Sequence, residues 1–442
     1  MDQAVGVDEV GAAPVPRAPR TFEESRFPEA MLIDLLLRLL ARSGELRAGE
    51  IAQRLGVPLT VIEPTLEFVR AEKLLEVPRR GSFDADVAWQ LTDGGRVRAA
   101  DAFDKCRYIG PMPVALSDYI ERVGAQSVHG VRVEPDRLRE ALGDVVVSGQ
   151  LVSAFGAALN AGRGIYLYGG SGSGKTYLAE HLVRVLHGPI WVPHAIHVDG
   201  EIIQFFDPLV HQPIEVPRQN AALDRQVAGD RRWLQVKRPV VVTGGELTME
   251  MLDLEFDPHT RFYIAPPQWK ANNGMMILDD LGRQRMPVRE LLNRWIVPLD
   301  RRVDYLALHT GTKFRVPFDV NVVFSSNLLP SEIGDPAFLR RLGYKIHVGA
   351  LDRAGYREVF RQACVKNELE PDLESADYLI DTLHREARLP LYAIVPFDVL
   401  GKLRDRARYL GQAPRLDVES LRWAWNLYFA PDEARDARTL DE

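Results

Sequence analysis

The stretch Gly169-Gly-Ser-Gly-Ser-Gly-Lys-Thr176 decides the fold of the central part of this 442-residue chain. It matches the phosphate-binding pattern G-x-x-x-x-G-K-[ST], follows the apolar run Ile165–Tyr168 and opens a helical pattern. Glycines allow backbone conformations that aim successive N–H groups inward, Lys175 brings a positive charge to the β and γ phosphates, and the Thr176 hydroxyl ligates Mg²⁺. The spacing therefore predicts a strand, a helix and, between them, a phosphate-binding loop made of Gly169, Gly170, Ser171, Gly172, Ser173, Gly174, Lys175 and Thr176.

Two further apolar runs end in polar residues that a nucleoside triphosphatase needs. The run Met275-Met-Ile-Leu-Asp-Asp280 predicts a buried strand with two carboxylates at its carboxyl end, where ligands bind in open α/β sheets. We assign Asp279 to the magnesium shell and Asp280 to polarising the attacking water. A later strand ends at Asn327, whose amide would orient that water or touch the γ-phosphate.

Two adjacent arginines, Arg340 and Arg341, follow Asn327 after a helical turn. An arginine that reaches into a neighbouring subunit's site neutralises charge developing on the transferred phosphoryl group, an effect worth roughly a thousandfold or more in rate. The alternative interpretation of this pair is a basic helix end exposed to solvent.

Strands alternate with helical patterns around these motifs, which predicts an α/β fold with a parallel sheet flanked by helices. Before this core, three helices and two short apolar stretches follow one another in the order of a winged helix-turn-helix. The later residues are almost wholly helical in pattern. We divide the chain into a disordered tail at 1–28, a winged helix-turn-helix domain at 29–101, a connector at 102–143, the α/β core at 144–350, a helical domain at 351–430 and a charged tail at 431–442.

The composition excludes several classes of protein. The net charge of -7 provides no global basic field for nucleic acid, so any such contact would be local. The two cysteines exclude a disulfide scaffold and a cysteine-based zinc site. No run approaches the roughly 20 unbroken apolar residues that span a bilayer. We therefore expect a cytoplasmic protein without membrane insertion.

The order of these motifs resembles that of the AAA+ ATPases, with Walker A at Gly169–Thr176, Walker B ending at Asp280, sensor 1 at Asn327, an arginine finger at Arg340 or Arg341, and then a helical lid. The resemblance covers roughly residues 141–430. It implies binding and hydrolysis of ATP with Mg²⁺ in a ring of identical subunits, often a hexamer. It also implies that hydrolysis remodels or moves a protein or a nucleic acid.

Two features of the sequence resemble those of the pre-sensor-1 β-hairpin clade of this family. Lys175 and Asp279 lie 104 residues apart, the difference of the two numbers, which indicates an insertion around residues 196–270. Alternating residues around the turn His309-Thr-Gly311 predict a β-hairpin at 302–318, immediately before the sensor 1 strand.

Two departures from the family pattern bear on activity. Asp280 stands where most members carry glutamate, and it is one methylene shorter, so turnover could be slow. The lid segment Leu389–Leu400 contains no arginine for the sensor 2 position. Lys402 and Arg404 remain alternatives for that role.

The N-terminal module leaves two classes of partner open. Its expected recognition helix is acidic, with Glu63, Glu67 and Glu72 against Arg70 and Lys73, and phosphates repel such a face. Arg79 and Arg80 in the expected wing could touch a DNA backbone. We favour an ATPase that remodels or regulates a protein partner recruited by this module. A DNA-binding regulator or nucleic-acid motor, and a slow ATP-binding switch, are the alternatives.

Overall fold

The computed structural model describes residues 14–78, 87–214, 229–333 and 336–429. Its first segment, residues 14–28, differs from the disordered tail expected at 1–28. The backbone amide of Asp230 donates a hydrogen bond to the Pro16 carbonyl at 2.8 Å. Phe27 is buried, and its ring packs against the His197 ring. The proline-rich composition gives no sign of these contacts, because one buried ring and a few backbone hydrogen bonds are enough to hold an extended segment. The expectation was wrong for residues 14–28, and residues 1–13 lie outside the described part.

Helices and short strands make up the next part of the chain. They are α1 (Glu29–Ser43), β1 (Leu46–Arg47), α2 (Ala48–Leu55), α3 (Leu59–Ala71), β2 (Leu75–Glu76), β3 (Ala88–Leu91) and α4 (Asp93–Lys105). The strands pair antiparallel in the order β1-β3-β2. The assignment to a winged helix-turn-helix stays a prediction, and Arg79 and Arg80 lie outside the described residues.

The middle of the chain alternates strands and helices. In chain order these are β4 (Val114–Ala115), α5 (Leu116–Ala125), α6 (Pro135–Leu142), α7 (Gly149–Ala161), β5 (Ile165–Tyr168), α8 (Lys175–Leu182), β6 (Ile190–Pro193), β7 (Ala195–Val198), β8 (Glu201–Gln204), β9 (Trp233–Val236), β10 (Val240–Thr243), β11 (Glu255–Asp257), β12 (Phe262–Ile264), α9 (Pro267–Lys270), β13 (Gly274–Leu278), α10 (Val288–Arg301), β14 (Val303–Ala307), β15 (Lys313–Pro317), β16 (Val320–Ser326), α11 (Pro330–Ile333), α12 (Pro336–Arg341) and β17 (Tyr344–His347).

A five-stranded sheet in the order β10-β13-β16-β5-β17 forms the centre of the molecule. Every neighbouring pair in it is parallel. Strands β13 and β16 are buried along their whole length, as is typical of strands covered on both faces. Because the strands point the same way, the residues that follow β5, β13 and β16 meet at one edge of the sheet. The predicted α/β fold with a parallel sheet is confirmed.

A second sheet accounts for much of the long interval between Lys175 and Asp279. Its order is β11-β12-β8-β7-β4, and all of its strands except β4 lie in or next to the insertion expected around residues 196–270. Strands β6 and β9 form a separate antiparallel ribbon beside it. The sequence indicated extra structure here but not a sheet, because its strands are only two to four residues long.

The hairpin expected at residues 302–318 is present as the antiparallel pair β14–β15. Its inner face packs on the second sheet, where Leu306 and Val316 share a buried core with Trp269. Near its tip, the Thr312 hydroxyl donates a hydrogen bond to the Asp199 carboxylate at 2.8 Å. The hairpin is therefore held from its base to its tip.

The C-terminal part is helical, as its sequence pattern indicates. It comprises α13 (Arg353–Lys366), α14 (Leu373–Tyr378), which continues as a π-helix over Leu379–His384, α15 (Ile394–Leu410) and α16 (Val418–Phe429). These helices pack around a common apolar core that includes Tyr356, Phe360 and Trp425. We refer to residues 351–429 below as the helical segment. The charged tail predicted at 431–442 lies outside the described residues.

Among the described residues, no helix combines the length and the apolar character that crossing a membrane requires.

Gly274 at the start of β13 provides a test of how tightly the central sheet is packed. A Cβ there would overlap the carbonyl oxygen of Pro239 at the neighbouring strand β10. We expect Gly274→Ala to lower the free energy of unfolding by about 1–3 kcal/mol, the usual cost of overpacking. Denaturant titration measures this change. Gly124→Ala is the control, because a Cβ at that helical position meets nothing within 4 Å. Equal stability of the two variants would show that the start of β13 tolerates the extra atom.

Candidate functional site

The phosphate-binding loop connects β5 to α8, as the motif requires. Gly172 and Gly174 have φ angles of +82° and +97°, in the region that residues with a side chain rarely adopt. Helix α8 begins at Lys175, and the N–H groups of its first turn point toward the loop without partners inside the helix. Ser173 is almost fully buried, and its hydroxyl oxygen has no hydrogen-bond partner in the described part of the chain. A buried hydroxyl without a partner in such a loop indicates a polar ligand.

Lys175 lies at the centre of the site. Its Nζ donates hydrogen bonds to the carbonyl oxygens of Gly169 and Gly170 at 3.0 and 2.9 Å, and to Oδ1 of Asn327 at 2.8 Å. Burial lowers the pKa of the Lys175 ammonium group, and the nearby carboxylates of Asp279 and Asp280 oppose this shift. The structure thus places the predicted sensor amide on the predicted phosphate-binding cation.

Thr176 and Asp279 form the second predicted pair. The Thr176 hydroxyl lies 2.8 Å from Oδ2 and 3.0 Å from Oδ1 of Asp279. Thr176 follows β5 and Asp279 follows β13, and strand β16 lies between these two strands. Only the parallel register of the three strands brings the two residues together. Hydroxyl and carboxylate oxygens suit Mg²⁺, which binds to one or two protein groups, phosphate oxygens and water. The residues present therefore fit a magnesium ion bound together with a nucleotide.

Asp280 lies in a strained turn at the entrance of the site. Its φ angle is +48°, which is uncommon outside glycine. Its carboxylate is about half exposed and lies 3.5 Å from Nη1 of Arg283. The amide of Gln284 donates hydrogen bonds to the carbonyls of Asp279 and Gly244 at 3.2 and 3.3 Å, which ties this turn to the end of β10. Strain of this kind concentrates at functional sites.

Sequence reasoning did not single out Arg283 or Gln284. Both follow the two carboxylates within five residues, separated from them by Gly282. The signal that could have identified them is their position, because they are polar residues shortly after a strand that ends in two carboxylates.

The two candidate finger arginines lie at the end of α12. The Nε atom of Arg341 is 2.5 Å from Oδ2 of Asp300 at the end of α10. Arg340 is exposed. Their action on a neighbouring subunit stays a prediction.

The helical segment contacts the phosphate-binding loop directly. The backbone amide of Ile394 donates a hydrogen bond to the Gly172 carbonyl at 3.3 Å. A Cβ on Gly170 would overlap the Tyr392 hydroxyl, and one on Gly172 would overlap the Ile394 side chain. Tyr392 is a site residue that sequence reasoning missed, because its separation in sequence from the loop gives no signal of contact.

The two alternatives for sensor 2 have contacts within the helical segment itself. The Lys402 ammonium lies 5.0 Å from the centre of the Tyr428 ring. The Arg404 guanidinium lies 3.1 Å from the Asp405 carboxylate.

Comparison with known families gives one match. Residues 352–427 match a family described as a domain of unknown function, DUF8689. This range coincides with the helical segment. No curated protein matches the chain.

Solved structures give distant matches. NtrX from Brucella abortus is 15% identical over 64% of this chain and 56% of its own, with a TM-score of 0.39. NtrX in complex with ATP is 17% identical over 73% of this chain and 62% of its own, with a TM-score of 0.37. RuvB from Thermotoga maritima, a Holliday junction branch migration motor, is 14% identical over 66% of this chain and 73% of its own, with a TM-score of 0.36.

The chain thus spans less than two thirds of the length of these NtrX chains. Similarity at this level decides neither the fold nor the function of the chain.

Asp279→Asn tests the proposed magnesium pair. We expect the gain in ATP affinity that Mg²⁺ brings to fall roughly tenfold or more, because a neutral amide is a weaker ligand for a hard cation. Calorimetric titration of ATP with and without Mg²⁺ measures this gain. Asp136→Asn is the control, since the Asp136 side chain is 98% exposed on α6. An undiminished magnesium effect in Asp279→Asn would remove this residue from the metal shell.

Proposed function

We propose that this chain is an AAA+ ATPase that binds ATP with Mg²⁺ in the Gly169–Thr176 loop and hydrolyses it. The observation that supports this most is the convergence of four predicted site residues. Lys175 and Thr176 contact Asn327 and Asp279 at hydrogen-bond distance, although their partners are 152 and 103 residues away in sequence. A chance glycine-rich turn would not bring these partners together.

In this proposal the loop binds the phosphates mainly through positive charge and oriented dipoles. The glycines leave the backbone N–H groups accessible, and the start of α8 adds its dipole. Lys175 reaches the β and γ phosphates and gives up part of its contacts with the loop carbonyls when they bind. Thr176 and Asp279 would hold Mg²⁺, which supplies charge neutralisation between the β and γ phosphates.

Asp280 would accept a proton from the attacking water, and Asn327 would orient this water against the γ-phosphate. The Arg283 guanidinium lies 3.5 Å from the Asp280 carboxylate, and both side chains are exposed to solvent, so this pair contributes little. Slow basal turnover follows from the short aspartate side chain, which keeps the ATP-binding switch as the second candidate.

We further propose that the site is completed in a homo-oligomeric ring, with Arg340 or Arg341 acting on the nucleotide of a neighbouring copy. Arg340 is exposed at the end of α12. Charge from a second subunit would make hydrolysis depend on assembly, because it stabilises the transferred phosphoryl group only when the neighbour is present.

The proposed partner is a protein bound by the N-terminal module. The outer face of α3 exposes Glu63 and Glu67 beside Phe68, whose surface is 47% exposed. An acidic face with an exposed aromatic ring suits a protein surface better than a phosphate backbone. ATP hydrolysis would then remodel or regulate this partner.

Lys175→Ala is the primary test of nucleotide binding. We expect loss of measurable ATP affinity, because this change removes the only cation that contacts the loop carbonyls and Asn327 among the described residues. Fluorescence anisotropy with a labelled ATP analogue measures it. The control is Lys313→Ala, which removes an exposed lysine on the hairpin. Unchanged affinity in Lys175→Ala would reject the assignment of the site.

Asp280→Asn should bind ATP normally and lower the rate of phosphate release by about 10²–10⁴-fold, the usual contribution of a general base. Steady-state phosphate release and nucleotide titration on the same preparation separate the two effects. Normal turnover in this variant would assign water activation to another residue.

Mixing of inactive variants tests whether the finger acts between subunits. Arg340→Ala and Arg341→Ala should each retain ATP binding, and the variant that lacks the finger should lose turnover. A mixture of that variant with Asp280→Asn should regain part of the activity, since one mixed interface then carries both intact groups. Absence of any regain, with mixed assembly confirmed by mass spectrometry, would place the arginine in its own subunit's site or outside it.

A further inference from the structure

Gln284 lies just after the turn that follows β13, and its side chain is buried. Its amide nitrogen donates hydrogen bonds to the carbonyl oxygens of Asp279 and Gly244 at 3.2 and 3.3 Å. Its amide oxygen accepts a hydrogen bond from the backbone N–H of Gly282 at 2.9 Å. Both polar groups of this side chain therefore bond to backbone, and they do so at two points of the same turn.

These two points lie on either side of Asp280, the residue assigned to polarising the attacking water. The Asp279 carbonyl belongs to the peptide group that precedes Asp280, and the Gly282 amide follows it by two residues. The orientation of the preceding peptide group sets the φ angle of Asp280, which is +48°. Residues with a side chain seldom adopt this conformation, and it persists only where the surroundings impose it. Gln284 contributes a hydrogen bond on each side of the strained residue.

The same turn is bonded to the strands on both sides of β13. The Asp279 amide donates a hydrogen bond to the carbonyl oxygen of Thr243 in β10 at 2.7 Å. On the other side, the Ser326 hydroxyl at the end of β16 donates a hydrogen bond to the Leu281 carbonyl at 2.6 Å. Ser326 directly precedes Asn327. The turn and the predicted sensor amide are therefore held to one another through backbone.

Arg283 contacts the Asp280 side chain directly, but at the solvent-exposed surface. Its guanidinium lies 3.5 Å from the Asp280 carboxylate, and the Arg283 side chain is 66% exposed. Water competes with an exposed pair of this kind, so the pair holds the carboxylate only weakly. The hydrogen bonds of the buried Gln284 side chain face less competition from water, and they hold the backbone itself.

We infer that Gln284 is a positioning residue of the proposed site, which holds the turn in the conformation that brings the Asp280 carboxylate to the attacking water. This inference rests on the proposed function. Gln284 acts through Asp280 and makes no contact of its own with the reacting atoms. Its contribution therefore lies in the rate of hydrolysis and not in nucleotide affinity, because the proposed phosphate-binding groups are in the loop before α8 and in its first turn.

Gln284→Met tests the inference, because methionine keeps an unbranched, flexible side chain and removes both hydrogen-bonding groups. The measurements are steady-state phosphate release over a range of ATP concentrations and, by calorimetry, the Kd of the non-hydrolysable analogue adenylyl imidodiphosphate with Mg²⁺. We expect kcat to fall roughly 10- to 100-fold, since a misplacement of about 1 Å costs up to that much, with KM and Kd changed by less than about twofold. The matched control is Gln412→Met, because Gln412 is exposed after α15.

The double variant Asp280→Asn/Gln284→Met separates positioning from a general loss of structure. Gln284→Met should lower the residual turnover of Asp280→Asn by less than about twofold, because the carboxylate that Gln284 positions is already absent. A further loss as large as that in the wild-type background would overturn the inference. Unfolding temperatures of all variants are measured beside that of Gln412→Met. Should Gln284→Met not fold, Gln284→Asn, which withdraws the amide by one methylene, takes its place in both measurements.

Unchanged kcat in Gln284→Met, or a loss of nucleotide affinity as large as the loss of rate, would also overturn the inference. The proposed function fails in a different way. If phosphate release by the wild-type chain is no greater than that by Lys175→Ala, the site itself is rejected, and the role of Gln284 with it. Normal release by the wild-type chain together with normal release by Gln284→Met rejects the positioning role alone.

Discussion

The site depends on the parallel register of three strands, β5, β16 and β13. In this register Phe324 of β16 pairs with Tyr166 of β5 on one side and with Leu278 of β13 on the other. The residue after each strand is polar or glycine, and all three therefore emerge at the same edge of the sheet. The buried sheet excludes charged side chains, because burying a charge is costly. Each strand is therefore an apolar run, and polar residues follow only where the strand leaves the sheet.

Charged side chains and the helical segment both contribute to the surroundings of the loop at this edge of the sheet. Lys175 donates hydrogen bonds to backbone carbonyls and to Asn327, and burial lowers the pKa of its ammonium group. In the proposed site its positive charge would bind phosphate. Two carboxylates partly compensate that charge. The helical segment then covers the loop with an aromatic hydroxyl and a backbone amide.

The sequence predicted the central sheet, because apolar runs with polar ends are local signals. It also singled out four residues that the structure brings into contact, and their role in a site stays a prediction. It did not predict that residues 14–28 pack against the body of the molecule, since Phe27 and a few hydrogen bonds make this contact in a proline-rich stretch without apolar periodicity. The second sheet was also missed, because its short strands carry no periodic signal and pair across long intervals. Tyr392 is the clearest case: its contact with Gly170 depends on how two separate parts of the chain pack, which no local pattern encodes.

The long hairpin illustrates how fold and resemblance can diverge. Its position before β16 agrees with the expectation from the family, but in this chain its inner face and its tip pack on the second sheet. Its outer face presents Tyr305, which is 52% exposed, beside Arg315 on the paired strand.

In the proposed function, this chain hydrolyses ATP at a site shared between copies of itself. The most direct measurement is Mg²⁺-dependent phosphate release per chain over a range of protein concentrations, with light scattering on the same samples. We expect turnover per chain to rise with concentration and to reach a plateau when the oligomer is complete. Turnover per chain that is independent of assembly would contradict the shared site, and release no greater than that of Lys175→Ala would contradict the ATPase itself.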